Sequence, residues 1–323
     1  MKQLYFIFKA LPLFIIFNSV TNAGSPYGPL NLRNLNPMIS IFGLPTWPDS
    51  NFGYNSVEFI TERASHFRFH DRSHESIRVD GETHRKLLII NNKMSNNDFI
   101  TVEVPQISHT SGSLDDFING WHKAFGMPDG NREMFPEDAM NFSYSINNNQ
   151  VFYLTNTVKG LGDIQLNYRK LLPDTSSIIS LGLKLPSGEY KRLLGSGSAD
   201  ISITYFKDLS NKNISTSYSF YWGLGLLMTG KSRMFDNKVD YIGLGIFGIN
   251  YEINNSLILK GQMDFHTPFY NSALDGFKAS IQGNIGLLLR LQENKHITFS
   301  VGEDLVVRTA PDVTLSIDFK WSY

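Results

Sequence analysis

The strongest constraint on this fold is the run Val313-Thr-Leu-Ser-Ile-Asp-Phe-Lys-Trp-Ser-Tyr323, where apolar and polar residues alternate without a break. Val313, Leu315, Ile317, Phe319, Trp321 and Tyr323 share one face, and Thr314, Ser316, Asp318, Lys320 and Ser322 the other. Such a period of two makes a strand with one oily and one wet face. Its eleven residues match what a tilted strand needs to cross a bilayer. Bacterial outer-membrane barrels end on an aromatic strand of this kind. Ile317, Phe319, Trp321 and Tyr323 are therefore expected to be the signal read by the barrel assembly machinery.

Upstream, the same alternation recurs from Met140 onward, in Ile164-Leu166-Tyr168, Ile179-Leu181-Leu183-Leu185, Ile201-Ile203-Tyr205, Tyr218 to Leu226, Leu257 to Phe265 and Phe277 to Leu287. Soluble sandwich strands average about five or six residues. Several of these runs are longer, which favours a transmembrane antiparallel β-barrel. Alternate connections should be short and periplasmic, the others longer and extracellular. Gln292 to Asn294, Asn254-Asn255, Asp208 to Asn213, Pro173 to Ser176 and Asn147 to Asn149 form the compact set. His266 to Asp275, Met228 to Asn237 and Pro186 to Gly197 form the longer one. Before Met140 the best strands are Asn55 to Phe69, Arg85 to Asn91 and Phe99 to Ser108, with Asp80-Gly81 read as a tight turn in an outer loop. The expected fold is all-β, a barrel of about fourteen strands within a range of twelve to sixteen.

Three domains are expected. Lys2 and Lys9, an apolar centre from Ala10 to Phe17 and Thr21-Asn-Ala23 make residues 1–23 a secretory signal peptide. Residues 24–50, rich in proline, are read as an extended segment at the periplasmic mouth or in the lumen, and residues 51–323 as the barrel. One segment breaks the alternation. Leu114, Phe117, Ile118, Trp121 and Phe125 have helical spacing, with Ser113 as N-cap and Gly126 and Pro128 as the stop. This is expected to be a short amphipathic helix in a long extracellular loop, lying on the outer leaflet or gating the outer mouth.

The chain carries a formal net charge of -1 and no cysteine. The first gives no field to attract nucleic acid, and the second excludes disulfides and thiolate metal sites. No cofactor is implied.

Seven groups of residues stand out: Arg33-Asn-Leu-Asn-Pro37 with Gly43-Leu-Pro45, Asp80-Gly-Glu-Thr-His-Arg85, Ser111 to Ile118 with Trp121-His122, Phe125-Gly-Met-Pro128, Gly160-Leu-Gly-Asp163, Leu185-Pro-Ser-Gly188 and Arg308-Thr-Ala-Pro-Asp312. Together they resemble a proteobacterial family catalogued as domain of unknown function 3187. The resemblance implies an outer-membrane barrel and supplies neither a reaction nor a ligand.

Three constellations bear on chemistry. His109 and Ser111 are similar to the His-x-Ser pair of outer-membrane phospholipase A and the lipid A deacylase; residues two apart on a strand share a face, so an imidazole could activate a hydroxyl. Asn156, Asp163 or Glu103 would orient the histidine. Against this, Ile100, Val102 and Val104 should face lipid, which turns His109 inward and away from a lipid substrate. His66, His70 and His74 are four apart, a metal-binding spacing on a helix, but the Phe67/Phe69 alternation reads as strand, so no metal site is assigned. Arg169, Lys184, Asp200, Lys260, Asp264, Lys278, Arg290, Asp318 and Lys320 fall on polar faces and are expected to line the lumen. Outward aromatics such as Tyr168, Tyr205 and Trp222 suit interfacial girdles.

Three functions stay open at this point: a channel or binding barrel for a small solute, hydrophobic if the helix's apolar face is its contact; a lipid hydrolase using His109 and Ser111; and a sealed structural barrel. The expected surroundings are outer-membrane lipids and lipopolysaccharide. In every case the purified protein should need detergent to remain dispersed and should give a β-type circular dichroism spectrum; solubility without detergent or a mostly helical spectrum would refute the barrel.

Overall fold

The computed structural model describes residues 28–48, 54–72, 74–116, 120, 123, 136, 138–210, 217–305 and 309–323. The signal peptide reading over residues 1–23 lies outside them. So do Phe117, Ile118, Trp121 and Phe125, four of the five apolar positions of the expected helix.

Fifteen strands follow one another: β1 (Ser56–Arg72), β2 (Glu75–Lys93), β3 (Asp98–Thr110), β4 (Asn141–Ile146), β5 (Asn149–Leu154), β6 (Val158–Leu161), β7 (Gln165–Leu171), β8 (Ser177–Lys184), β9 (Asp200–Asp208), β10 (Tyr218–Met228), β11 (Tyr241–Asn254), β12 (Leu257–His266), β13 (Ser280–Gln292), β14 (Lys295–Asp304) and β15 (Val313–Ser322). Twelve of them close a ring, running β1-β2-β3-β7 and then in sequence from β8 to β15, which pairs back onto β1. The closing seam runs from Ser56↔Ser322 to Ser65↔Val313. The barrel thus has twelve strands and three additional ones, where about fourteen were expected.

The difference lies in the first half. Asp80-Gly81 is not a turn: both residues sit inside β2, paired with Phe67 and His66 of β1. β2 pairs with β3 from Lys93 to Glu82, and β4 then takes over its edge from Asp80 to Glu75. β3 and β4 are therefore one rising line, interrupted by the excursion between Thr110 and Asn141. On the return, β6 pairs with the upper part of β3 and β7 with the lower part. This places the 147–149 turn beside the β1–β2 tip, with the Asn147 amide donating to the His74 carbonyl (2.8 Å), at the end opposite to Ser56 and Ser322. The compact-turn parity holds for the later turns and fails here, because β3 and β4 share a single crossing.

Alternation sets the two faces. Phe59, Ile100, Leu181, Ile203, Leu224, Leu259, Ile285, Phe299 and Ile317 point outward and are exposed. Glu58, Glu62, Thr101, Glu103, Asn167, Asn250, Gln262, Asn284 and Thr298 point inward and are buried. Greasy outside and polar inside is the pattern of a lipid-embedded barrel. Among the described residues no helix is long and apolar enough to cross a membrane.

An outward charge should therefore cost more than an inward change. Ile285→Arg, at a position 66% exposed near the middle of β13, is expected to lose about 2–4 kcal/mol. The inward Thr298→Ser should be close to neutral. Denaturant titration in lipid vesicles reads both, and equal effects would refute the assignment of faces.

Candidate functional site: the plugged lumen

An eight-strand barrel is filled by its own side chains, whereas sixteen or more strands leave a water channel. Twelve strands lie between, and the chain fills this lumen with its own residues 28–48. The segment rises from the end that holds Ser56 and Ser322, reverses at residues 36–42 and descends again toward β1. On the rising limb, the Leu30 amide donates to the Gln262 side chain (2.8 Å) and Asn31 donates to Glu58. At the reversal, the Asn36 amide group donates to the Thr309 carbonyl (3.0 Å). On the descending limb, Thr46 donates its hydroxyl to Glu103 (2.8 Å), and Arg169 donates to the Thr46 carbonyl (3.0 Å).

Wall glycines make the fit. A Cβ on Gly223 would stand 2.6 Å from the Trp47 ring, and one on Gly286 would stand 2.6 Å from Leu30. A larger residue at Gly223 would have to displace the Trp47 ring, and one at Gly286 would have to turn the Leu30 methyls aside.

A buried charge node fastens the upper plug. The Lys184 ammonium lies 2.9 Å from Asp163 and 2.9 Å from Asp200 and donates to the Ile41 carbonyl (2.9 Å) and to Ser196. Asp200 also accepts the Gly43 amide (2.8 Å) and the Gly230 amide (2.8 Å), and Asp163 accepts those of Gly188 (2.7 Å) and Ser196 (3.1 Å). One lysine and two carboxylates thus join the plug to the loops after β8 and β10. Lower down, plug Arg33 is half-buried, donates to the Leu44 carbonyl (2.8 Å) and feels the charges of the wall carboxylates Glu103 and Glu62, while Arg85 donates to Glu62.

Above the node the lumen turns apolar. Met38, Ile39, Ile41, Phe42 and Leu44 of the plug pack into one core with Phe142, Tyr144, Phe152, Phe235, Phe269, Tyr270 and Phe277. Phe42 stacks on Phe269, with ring centres 5.1 Å apart, and meets Tyr270 edge-on at 5.9 Å. The Tyr270 hydroxyl donates to the Met38 carbonyl (2.5 Å). Burial pushes this phenol well above the ordinary tyrosine value, so it stays a donor. Two cavities beside the plug measure about 30 Å³ and 40 Å³, room for a few waters.

Several of the expected lumen residues fall in this site. Lys184 and Asp200 form the node. Arg169, Lys260, Asp318 and Lys320 line the cavity between the two plug limbs, where Asn31 reaches both Glu58 and Asp318. Asp264 accepts from Gln262 and Asn284 beside the plug. Lys278 departs from the expectation: it lies in the loop before β13, exposed and paired with Asp275, because the strand begins two residues later. Arg290 sits at the barrel end, donating to the Asn255 carbonyl (2.6 Å).

His109 does face inward and is fully buried. Its Nδ1 pairs with the Thr83 hydroxyl (3.0 Å) and its Nε2 with the Leu193 carbonyl (3.1 Å). Both ring nitrogens are engaged, Ser111 and Asn156 are exposed, and no hydrogen bond joins either to His109 among the described residues. His66 and His70 lie on one strand, about 13 Å apart at ~3.3 Å per residue.

Of the expected helix or gate residues, only Leu114 is among the described ones, and it lies on the outward face. Glu82 points outward, yet it is buried, because it accepts the amides of Ser113 (2.6 Å) and Leu114 (2.8 Å) and pairs with Arg63 and His84. Leu114 packs on outward-facing Val313, with Val301 and Leu315 beside it. The start of the 111–140 excursion is thus strapped across the outer wall, and Leu114 does not enter the mouth. Trp321 and Tyr323 cluster at the barrel end that holds Ser56 and Ser322, with Lys295 over the Trp321 ring. Sequence reasoning missed Arg33, Glu62 and Arg85 as a group, since their approach depends on where the plug lies.

Closed strands, an oily belt and an occupied polar lumen define an outer-membrane β-barrel. The chain belongs to the family described as protein of unknown function (DUF3187), which it matches over residues 8–323. Among solved structures, it is similar to an outer membrane channel from Pseudomonas putida F1, at 10% identity and a TM-score of 0.55 over 88% of this chain and 98% of that one. More distant are the P. putida toluene transporter TodX (9% identity, TM-score 0.40, 83% and 89% covered) and the KdgM porin in complex with oligogalacturonate (11%, 0.43, 83% and 99%). No curated protein matches the chain.

Breaking the node tests its weight. Lys184→Met leaves two buried carboxylates without their cation and should cost about 3–5 kcal/mol, read by denaturant unfolding. Adding Asp200→Asn should recover part of that loss; an unchanged midpoint for Lys184→Met would refute the node.

Proposed function

We propose that this protein is an outer-membrane channel for a small solute, closed at rest by its own N-terminal segment and opened when that segment is displaced. The observation that carries this reading is the way the plug is held. Its attachments are hydrogen bonds, ion pairs and packing, and a chain without cysteine cannot lock it by a disulfide. The wall behind it is polar and carries charges of both signs, which suits a water path more than a strongly ion-selective pore. The likeness to a P. putida outer membrane channel supports the same reading.

A barrel built only for structure would gain nothing from a wall too wide for its own side chains. The hydrolase reading is less supported, because His109 spends both ring nitrogens on Thr83 and Leu193.

Planar-bilayer recording tests the proposal. The unaltered protein should be mostly closed. Arg33→Ala removes the plug's cation from between Glu62 and Glu103 and should raise open probability by about tenfold, the effect of ~1.4 kcal/mol lost from the closed state. Gly223→Leu, which collides with Trp47, should act in the same direction. If neither variant conducts, and a chain lacking residues 30–46 does not conduct either, the barrel is sealed and the channel reading falls.

A further inference from the structure

The plug tip occupies a site that resembles a ligand pocket more than a seal. Most of the lumen is polar, and a segment that only blocked water would be expected to present polar side chains to it. Instead, residues 38–44 present Met38, Ile39, Ile41, Phe42 and Leu44, all nearly inaccessible. They enter a cage built by other elements: Tyr144 on the β4–β5 hairpin, Phe235 in the loop after β10, and Phe269, Tyr270 and Phe277 in the loop after β12. The cage rings support one another, with Tyr270–Phe277 centres at 4.5 Å, Phe235–Tyr270 at 5.2 Å and Tyr144–Phe277 at 5.3 Å. Phe269, which Phe42 stacks on, is also met edge-on by His266 at 5.0 Å.

Its polar handles are few. Tyr144 gives its hydroxyl to Glu75 (2.6 Å), a cage-wall pairing that the plug does not enter. Tyr270 gives its hydroxyl to the plug, at the Met38 carbonyl. When the tip leaves, Tyr270 faces an apolar space with an unused donor, which a ligand oxygen can take up. A pocket of apolar rings with one aimed polar group is the usual form of a small-molecule site.

We infer that the plug tip is a built-in competitor for a binding site in the distal mouth, and that the site takes a small, mostly apolar, ring-bearing molecule with one hydrogen-bond-accepting oxygen. The ring replaces Phe42 against Phe269, and the oxygen replaces the Met38 carbonyl at Tyr270. Binding leaves the tip without its seat, so the solute is also what favours the open state. This rests on the reading of the protein as a plugged channel and names its solute class.

The test uses the full chain in detergent and two fluorine-labelled probes, 4-fluoroacetophenone, which has the acceptor oxygen, and 4-fluorotoluene, which lacks it. Fluorine NMR line broadening reads binding. Micelle partition is common to all variants and subtracts. Phe42→Ala weakens the competitor, and its apparent affinity for 4-fluoroacetophenone should rise by about tenfold over the unaltered protein. Adding Tyr270→Phe also frees the tip at Met38, so it should lower the affinity for 4-fluoroacetophenone relative to that for 4-fluorotoluene. Retained heat-modifiable gel mobility checks that each variant is folded.

Equal broadening in the unaltered and Phe42→Ala proteins, or a Tyr270→Phe effect of the same size on both probes, overturns the inference. Conductance of the Phe42→Ala protein separates the two readings. An open channel that binds neither probe removes the cage site and leaves the channel, whereas selective binding without conductance in any plug-weakened variant keeps the site and removes the channel.

Discussion

Everything in this structure depends on the seam between β1 and β15. Inside a bilayer no water is present to satisfy a backbone amide, so a sheet survives there only when its last edge meets its first. Ten residue pairs from Ser56↔Ser322 to Ser65↔Val313 make that closure. Closure with twelve strands fixes a lumen wider than the eight-strand kind that wall residues fill by themselves. The plug follows from that geometry. Its own backbone is satisfied by wall side chains such as Gln262, Asp200 and Tyr270, which is why the wall opposite it is polar at those points.

Polarity also changes along the barrel axis. Near the terminal end the lumen holds Glu58, Asp318, Lys260 and Lys320 around a small cavity. At the distal end it holds a packed apolar core of the sort found in soluble proteins. The outer wall shows the opposite exception: Glu82 faces outward but is buried by the strap that begins at Ser111. A carboxylate in lipid would be costly. Covered by two amides, Arg63 and His84, it instead holds Ser113 and Leu114 against the outer wall.

Much of the fold was legible because alternation is a direct record of two-sided burial. β7 to β10, β12, β13 and β15 stand in the sequence as alternating runs, while β11 and β14 are marked there only by neighbouring turns. The first half was misread where strands leave the membrane. β2 runs through Asp80-Gly81, and those residues look like a turn because Gly81, at φ 136°, lies where β3 hands over to β4. The site was legible only in parts. Lys184, Asp200 and Asp163 were each noticed, but their meeting point requires knowing that residues 186–199 fold inward. The family-like segments proved informative in another way, since they meet in pairs. Asn36 of the first binds Thr309 of the last, Ser187 binds the Gly162 carbonyl (2.9 Å), and Glu82 binds Ser113 and Leu114. No local pattern shows such pairings, because they join positions up to 273 residues apart.

The course of the plug suggests how it could open without leaving the barrel. Both limbs lead back to the terminal end, one toward residue 28 and the other toward β1, whose pairing with β2 and β15 fixes it in the wall. The descending limb is therefore a tether and cannot be lost. The reversal at residues 36–42 is the part farthest from that tether, and its attachments are of two kinds. The charge node and Tyr270 hold backbone atoms of Ile41, Gly43 and Met38, while the cage holds side chains. A molecule that takes the cage removes the second kind directly and the Tyr270 bond with it. The node is then left holding a tip whose apolar side chains have lost their seat and face a polar lumen. Exposing those side chains to water costs roughly 1.5–3 kcal/mol each, so the tip's gain from staying at the node falls as the cage fills. Opening in this scheme is a local exchange at the distal mouth, and the barrel itself need not move.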